Sequence, residues 1–170
     1  MAAPCFIMWN GATTALTSPF AGVATSATSG TVKTMLQIKP GTTKIRIIEW
    51  GYIIAASPSV PVTMELIETG TVFATVTSAA STAVVNYNDV TGPGTGVSVG
   101  TAATGYTASA EGTITATRLL AGTMDQATYF KQQFPLGREP EIASGGCLRI
   151  RATPNQSVAS TVLCYVIWEE

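Results

Sequence analysis

The chain has 170 residues, 46% of them hydrophobic and only 11% charged, with nine Lys plus Arg against ten Asp plus Glu and a net charge of −1. That length suits one domain able to bury a core without disulfide staples. The absence of histidine removes Ser–His–Asp and Cys–His catalysis, imidazole-bound zinc and a histidine pH switch, and the near-neutral charge removes a basic surface for phosphates.

Residues 5–9, Cys5-Phe6-Ile7-Met8-Trp9, form a short apolar strand candidate. No basic run precedes it, so it does not read as a signal peptide. Residues 10–30 are rich in Thr, Ser, Ala and Gly and hold Pro19. They read as a long excursion or an arm that packs on a neighbour, a length uncommon inside a compact domain. The strand pattern resumes over 31–39, and Pro40-Gly41 marks a turn.

Residues 43–55 are the longest strand-like run. Ile45 and Ile47 alternate inward against Lys44 and Arg46. The alternation slips around Ile48-Glu49-Trp50, where Gly51 suggests a bulge or a close backbone approach. Further strands are expected over 62–67, 72–76, 84–87, 113–117, 127–134, 147–152 and 162–168. The strand at 147–152 places Leu148 and Ile150 on one face and Arg149 and Arg151 on the other. The last strand ends on Glu169-Glu170, expected in solvent. Ile45, Ile47, Leu66, Leu148, Ile150, Cys164 and Val166 are the expected core. The tryptophans at 9, 50 and 168 lie in strands that read as core. The one helical option is a turn near Asp125-Gln126.

Eight or nine short strands at this spacing predict an all-β fold, an antiparallel β-sandwich of jelly-roll type. Residues 1–30 read as an N-terminal strand with its arm, and 31–170 as a single sandwich domain. Cys5, Cys147 and Cys164 are odd in number and have apolar neighbours. They read as buried small hydrophobes, a Cys147–Cys164 bridge being the other option.

Motifs for chemistry are sparse. Gly92-Pro93-Gly94-Thr95-Gly96 lacks the lysine and following helix of a phosphate loop, so it reads as a flexible surface loop. Glu49, Glu65 and Glu68, or Glu139 and Glu141, are the carboxylates that acid–base chemistry would need, but no aromatic-lined cleft is evident beside them. Two aspartates in the whole chain argue against a high-affinity calcium site. No metal, cofactor or catalytic residue is expected.

The most distinctive segment is Phe134-Pro135-Leu136-Gly137-Arg138-Glu139-Pro140. Its prolines restrict the backbone and present Arg138 in a defined direction. Two readings stand: a loop fastened by an internal Arg138–Glu139 salt bridge, or a contact with a neighbouring subunit through Phe134, Pro135, Leu136, Arg138, Glu139 and Pro140.

That segment, extended as Gln133 to Ile142 and followed by the strand 148–152 and the ending Val166-Ile167-Trp168-Glu169-Glu170, resembles small virion proteins of tailed bacteriophages, of the head decoration or capsid cement type. The resemblance covers residues 129–170, and 44–70 are similar in style. It implies a β-rich, non-enzymatic structural protein, made in the host cytoplasm and placed on the outer surface of the head. The implied partner is the major capsid protein. Self-association into dimers or trimers is expected, with no nucleic acid and no membrane. Two other classes fit the residues: a tail structural protein, or a host-attachment or carbohydrate-binding module with exposed aromatics drawn from Tyr87, Tyr106 or Tyr129.

Overall fold

A computed structural model of the chain describes residues 3–11, 21–55, 61–114, 117–120, 124–125 and 129–170. Its strands in chain order are β1 (Cys5–Trp9), β2 (Val23–Ala24), β3 (Lys33–Ile38), β4 (Ile45–Ala55), β5 (Val62–Glu68), β6 (Thr75–Ser78), β7 (Val84–Asn86), β8 (Gly105–Ala110), β9 (Thr117–Leu120), β10 (Met124–Asp125), β11 (Tyr129–Gln133), β12 (Glu141–Ile142), β13 (Leu148–Pro154) and β14 (Thr161–Glu169). A single turn of 3₁₀ helix over Ser81–Ala83 is the only helix among the described residues.

The strands form two antiparallel sheets, a β-sandwich. One runs β11-β4-β14-β1-β7, with β12 also on β4 and β2 on β14; the other runs β10-β5-β13-β3-β8-β6, with β9 also on β5. Their facing side chains make one core that includes Phe6, Met8, Trp50 and Trp168 from the first sheet and Leu36, Met64, Leu66 and Ile150 from the second. All seven expected core residues are buried, none more than 1% exposed.

The slip in β4 has a definite origin. Ile167 pairs with Glu49, but Trp168 pairs with Ile47, so Ile48 is an extra residue opposite β14. A bulge of one residue reverses the facing of everything beyond it. Ile45 and Ile47 point inward before it; Trp50, Tyr52 and Ile54 do so after it. Glu49 and Gly51 are thereby turned to the outer face. Gly51 is not the bulge but a close approach: a Cβ there would lie 2.6 Å from the Tyr165 ring and 2.7 Å from the Phe130 carbonyl oxygen.

Several expectations are corrected. Arg149 does face away from Ile150, but it is fully buried. Its guanidinium donates to the Val72 carbonyl at 2.6 Å and the Glu111 carbonyl at 3.0 Å, since the chain beyond β5 and Glu111 cover the outer face of the second sheet. Arg151 pairs with Glu65 at 2.7 Å. Glu170 is held rather than solvated: it accepts from Gly96 N at 2.6 Å, from Trp168 Nε1 at 3.0 Å and from the Thr95 hydroxyl. Residues 92–96 are accordingly tied down, with Pro93 O accepting from Asn86 Nδ2 and Gly41 N donating to Gly96 O.

Trp9 is only half-buried and lies on the outer face, its ring against Tyr165. Asp125 belongs to strand β10 rather than a helical turn, and Gln126 lies outside the described residues. Thr113 and Ile114 are not in a strand, while residues 115–116 lie outside the described residues. All three cysteines are free, with Cys147 and Cys164 buried.

Of the expected arm, residues 12–20 lie outside the described residues. Its flanks pack on the same chain. Asn10, fully buried, brackets β14 by donating to Val162 O and accepting from Cys164 N, and β2 pairs with the start of β14.

Candidate functional site

Two surfaces stand out, and both begin on the edge strand β11. The first is the turn that follows it. Phe134 N donates to Ile48 O at 2.9 Å, and Ile47 N donates to Pro140 O at 2.9 Å. The loop therefore leaves and rejoins the same edge of β4, on the two sides of the bulge. Within it, Arg138 N donates to Pro135 O at 2.9 Å, and Gly137 sits at φ +79. Positive φ at the third position of a four-residue turn is the type II requirement that glycine meets. Leu136 occupies the tip and is 94% exposed.

The six residues singled out by sequence divide by position. Phe134 is partly buried against the core and anchors the loop. Pro135, Leu136 and Arg138 are exposed, whereas Glu139 and Pro140 are half-buried. Among the described residues Arg138 forms no ion pair, and Glu139 none either. The backbone bonds, not an Arg138–Glu139 bridge, fasten this loop.

The second surface is the outer face of the first sheet. Tyr87 and Tyr129, 60% and 56% exposed, border a shallow depression of about 260 Å³ whose lining includes Trp9, Glu49, Lys131 and Tyr165. The β4 bulge brings Glu49 here. Tyr165 donates to Glu49 Oε1 at 2.5 Å, and the Lys131 ammonium lies 3.1 Å from Glu49 Oε2. The Tyr129 hydroxyl is 3.5 Å from that of Tyr165. The Trp9 and Tyr165 rings pack with centroids 4.5 Å apart. Burial first, then the hydrogen bond to Glu49, pushes the Tyr165 phenol well above its ordinary value. The same carboxylate raises Lys131, through their hydrogen bond. The phenol thus stays neutral and the ammonium charged.

Sequence reasoning named Tyr87 and Tyr129, and named Glu49 only as a candidate acid–base carboxylate; it missed Trp9, Tyr165 and Lys131. Tyr106 is elsewhere, on β8, partly buried against the core. The readable signal was the broken alternation at Ile48.

The carboxylates considered for acid–base chemistry have partners or positions of their own. Glu49 and Glu65 stand on different sheets, and Glu68 accepts from Gly70 N at 2.7 Å. Glu141 belongs to a surface network with Lys44 at 2.8 Å and Arg46 at 3.6 Å, while Arg46 also reaches Glu169 at 3.4 Å. Lys44, bonded to it, holds the Glu141 carboxyl below its ordinary value. Among the described residues no group of three or more Cys, Asp or Glu side chains is placed to hold a metal ion, and no helix is long and apolar enough to cross a membrane. In comparison with known proteins, no family model matches this chain, and no characterised protein matches it in sequence.

Proposed function

We propose that this chain is a non-enzymatic structural protein that decorates and stabilises a bacteriophage capsid, from the outer surface of the head, through contacts with the major capsid protein. The observation that carries the reading is Leu136, 94% exposed on a turn fixed by three backbone hydrogen bonds, with Arg138 beside it forming no ion pair among the described residues. An exposed leucine gains free energy only when a partner covers it. A turn already fixed loses little entropy on docking, and an exposed arginine can form a charge-assisted bond to a carboxylate on the shell.

The strand order supports the jelly-roll form of the sandwich. In one sheet β1, β14, β4 and β11 are neighbours; in the other β3, β13, β5 and β9 with β10 are neighbours. Taken in chain order, these are the eight positions of a double Greek key, the segments β9 and β10 sharing one position. Strands β6, β7 and β8 are then an insertion that widens both sheets on one side. Such a scaffold sets loops at its ends and leaves one edge, here β11, to lead into the docking turn.

Many copies that bind only the assembled shell stabilise it by mass action. Clustering as dimers or trimers multiplies weak contacts into avidity. The test is co-sedimentation with undecorated shells, comparing the intact protein with Leu136→Ser and Arg138→Ala. Both variants should melt as the intact protein does and bind shells at least tenfold more weakly. Shell binding unchanged in both variants, or none by the intact protein, refutes the proposal.

A further inference from the structure

We infer that the outer face of the first sheet carries a binding site for a neutral sugar ring, stacked on Tyr87 and Tyr129 and hydrogen-bonded through Lys131. This goes beyond the shell-docking proposal and uses a different surface.

Tyr87 and Tyr129 are more than half exposed, in a chain with five tyrosines and eight per cent aromatics. They border one hollow together with the half-buried Trp9. Tyrosine joins an apolar ring to a polar tip. A pyranose is its complement, with a C–H face to stack and a rim of hydroxyls to bond. A few convergent polar groups on a lining otherwise aromatic and aliphatic are what orient a small ligand.

The polar groups are set in advance. Lys131 spends a donor on Glu49 at 3.1 Å, and an ammonium has three. The others are free to reach hydroxyl oxygens. Glu49 is itself held by Tyr165 at 2.5 Å, and Tyr165 is fixed from the other side by Trp9. The floor does not have to reorganise when a ligand arrives.

Charge selects among ligands. Aromatic clusters also take quaternary ammonium groups, but here the Lys131 ammonium already occupies the acid and repels a second cation. Glu49 in turn disfavours an anion. The ion pair leaves the site neutral overall, and a hydroxyl-rich neutral ligand meets no penalty from either member. The hollow is shallow and open to solvent, which suits a residue within a polysaccharide chain.

The experiment uses the full chain on an array of neutral hexose, deoxyhexose and N-acetylhexosamine oligosaccharides. Titrations of the strongest ligands follow by tryptophan fluorescence. Trp50 and Trp168 are buried in the core, so a fluorescence change reports on Trp9. Tyr87→Ala and Tyr129→Ala should each weaken binding at least tenfold with unchanged melting, while Leu136→Ser should bind sugar as the intact protein does. Failure of every oligosaccharide to bind overturns the inference, as does equal binding by the Tyr87→Ala, Tyr129→Ala double variant. If the tyrosine variants instead convert an oligomer to monomer and no sugar binds, the face is a contact between copies of the chain, and the inference is wrong. None of these outcomes bears on shell binding, which is read separately through Leu136.

Discussion

Replacing Gly51 by Ala should destabilise the fold and disorganise the aromatic face by one and the same movement. A Cβ at this position would stand 2.6 Å from Tyr165 Cε1, 2.8 Å from Tyr165 Cζ and 2.7 Å from the Phe130 carbonyl oxygen. None of these neighbours yields easily. The Tyr165 ring packs against the tilted Trp9 ring and its hydroxyl is bonded to Glu49 at 2.5 Å, while the carbonyl belongs to the paired edge strand β11. Overpacking of a fixed site costs about 1–3 kcal/mol. Displacing the phenol from a carboxylate gives up a hydrogen bond to a charged group, worth about 1.5–3 kcal/mol at full loss. Because each movement partly relieves the other, the expected cost is about 2–4 kcal/mol. Urea denaturation followed by circular dichroism should show a lower midpoint with an unchanged slope. A double-mutant cycle locates the cause. In a Tyr165→Val background the ring is gone, and Gly51→Ala should cost at least about 1 kcal/mol less, since residues in contact couple. The Phe130 carbonyl remains, so the relief should be incomplete. A cost for Gly51→Ala below about 0.5 kcal/mol, or additivity within about 0.5 kcal/mol, would refute the reasoning.

Two further outcomes follow from the same packing. Truncating Ile150, fully buried where β13 meets β3 and β5, to Ala should lower stability by about 2–5 kcal/mol in the same denaturation assay, and a change under about 0.5 kcal/mol would refute its placement in the core. Because the folded state raises the Tyr165 phenol above the ordinary value of 10.0, the unfolded chain releases that proton first, so stability is intact below pH 10 and falls as pH rises beyond it. Ultraviolet titration should find the same phenolate absorbance in native Tyr165→Phe and the intact protein at pH values just above 10, with the difference appearing only on unfolding; a difference in the native state refutes the shift.

The legible parts of this fold are those fixed locally. Alternation in β13 and β14 depends on neighbours one and two residues away, and Leu148, Ile150, Cys164 and Val166 are buried as that pattern requires. A constrained backbone between Pro135 and Pro140 was readable for the same reason, because proline restricts the chain wherever it stands, although an extended crossing and a tight loop fitted the residues equally. Burial of the opposite face is another matter. Arg149 was assigned to the side away from Ile150, which is where it lies; that this side is closed by Val72 and Glu111 depends on where two distant segments return. Glu170 is similar. A charged chain end reads as solvated, and only the fold brings Thr95 and Gly96 to its carboxylate.

The aromatic face shows how far one such long-range fact reaches. In β1 apolar residues stand on both faces, Phe6 and Met8 inside, Ile7 and Trp9 outside. No periodicity can tell a reader which side is which. In β4 the sense changes at Ile48, and the change exists only in the pairing with β14, whose partner residues Ile167 and Trp168 lie far along the chain. Had the pairing run without the extra residue, the inward phase of Ile45 and Ile47 would have carried on through Glu49 and Gly51. A carboxylate would then have entered the core, and Trp50 and Tyr52 would have faced solvent beside Tyr165. Burying an unpaired carboxylate is costly, and exposing a tryptophan and a tyrosine forfeits their burial. The bulge removes both penalties at once. In doing so it delivers Glu49 to Tyr165 and Lys131, and it clears the space over Gly51 in which the Tyr165 ring lies. A single backbone irregularity thus satisfies the core and furnishes the outer surface. A variant that deletes Ile48 should therefore lose the fold and the aromatic face together.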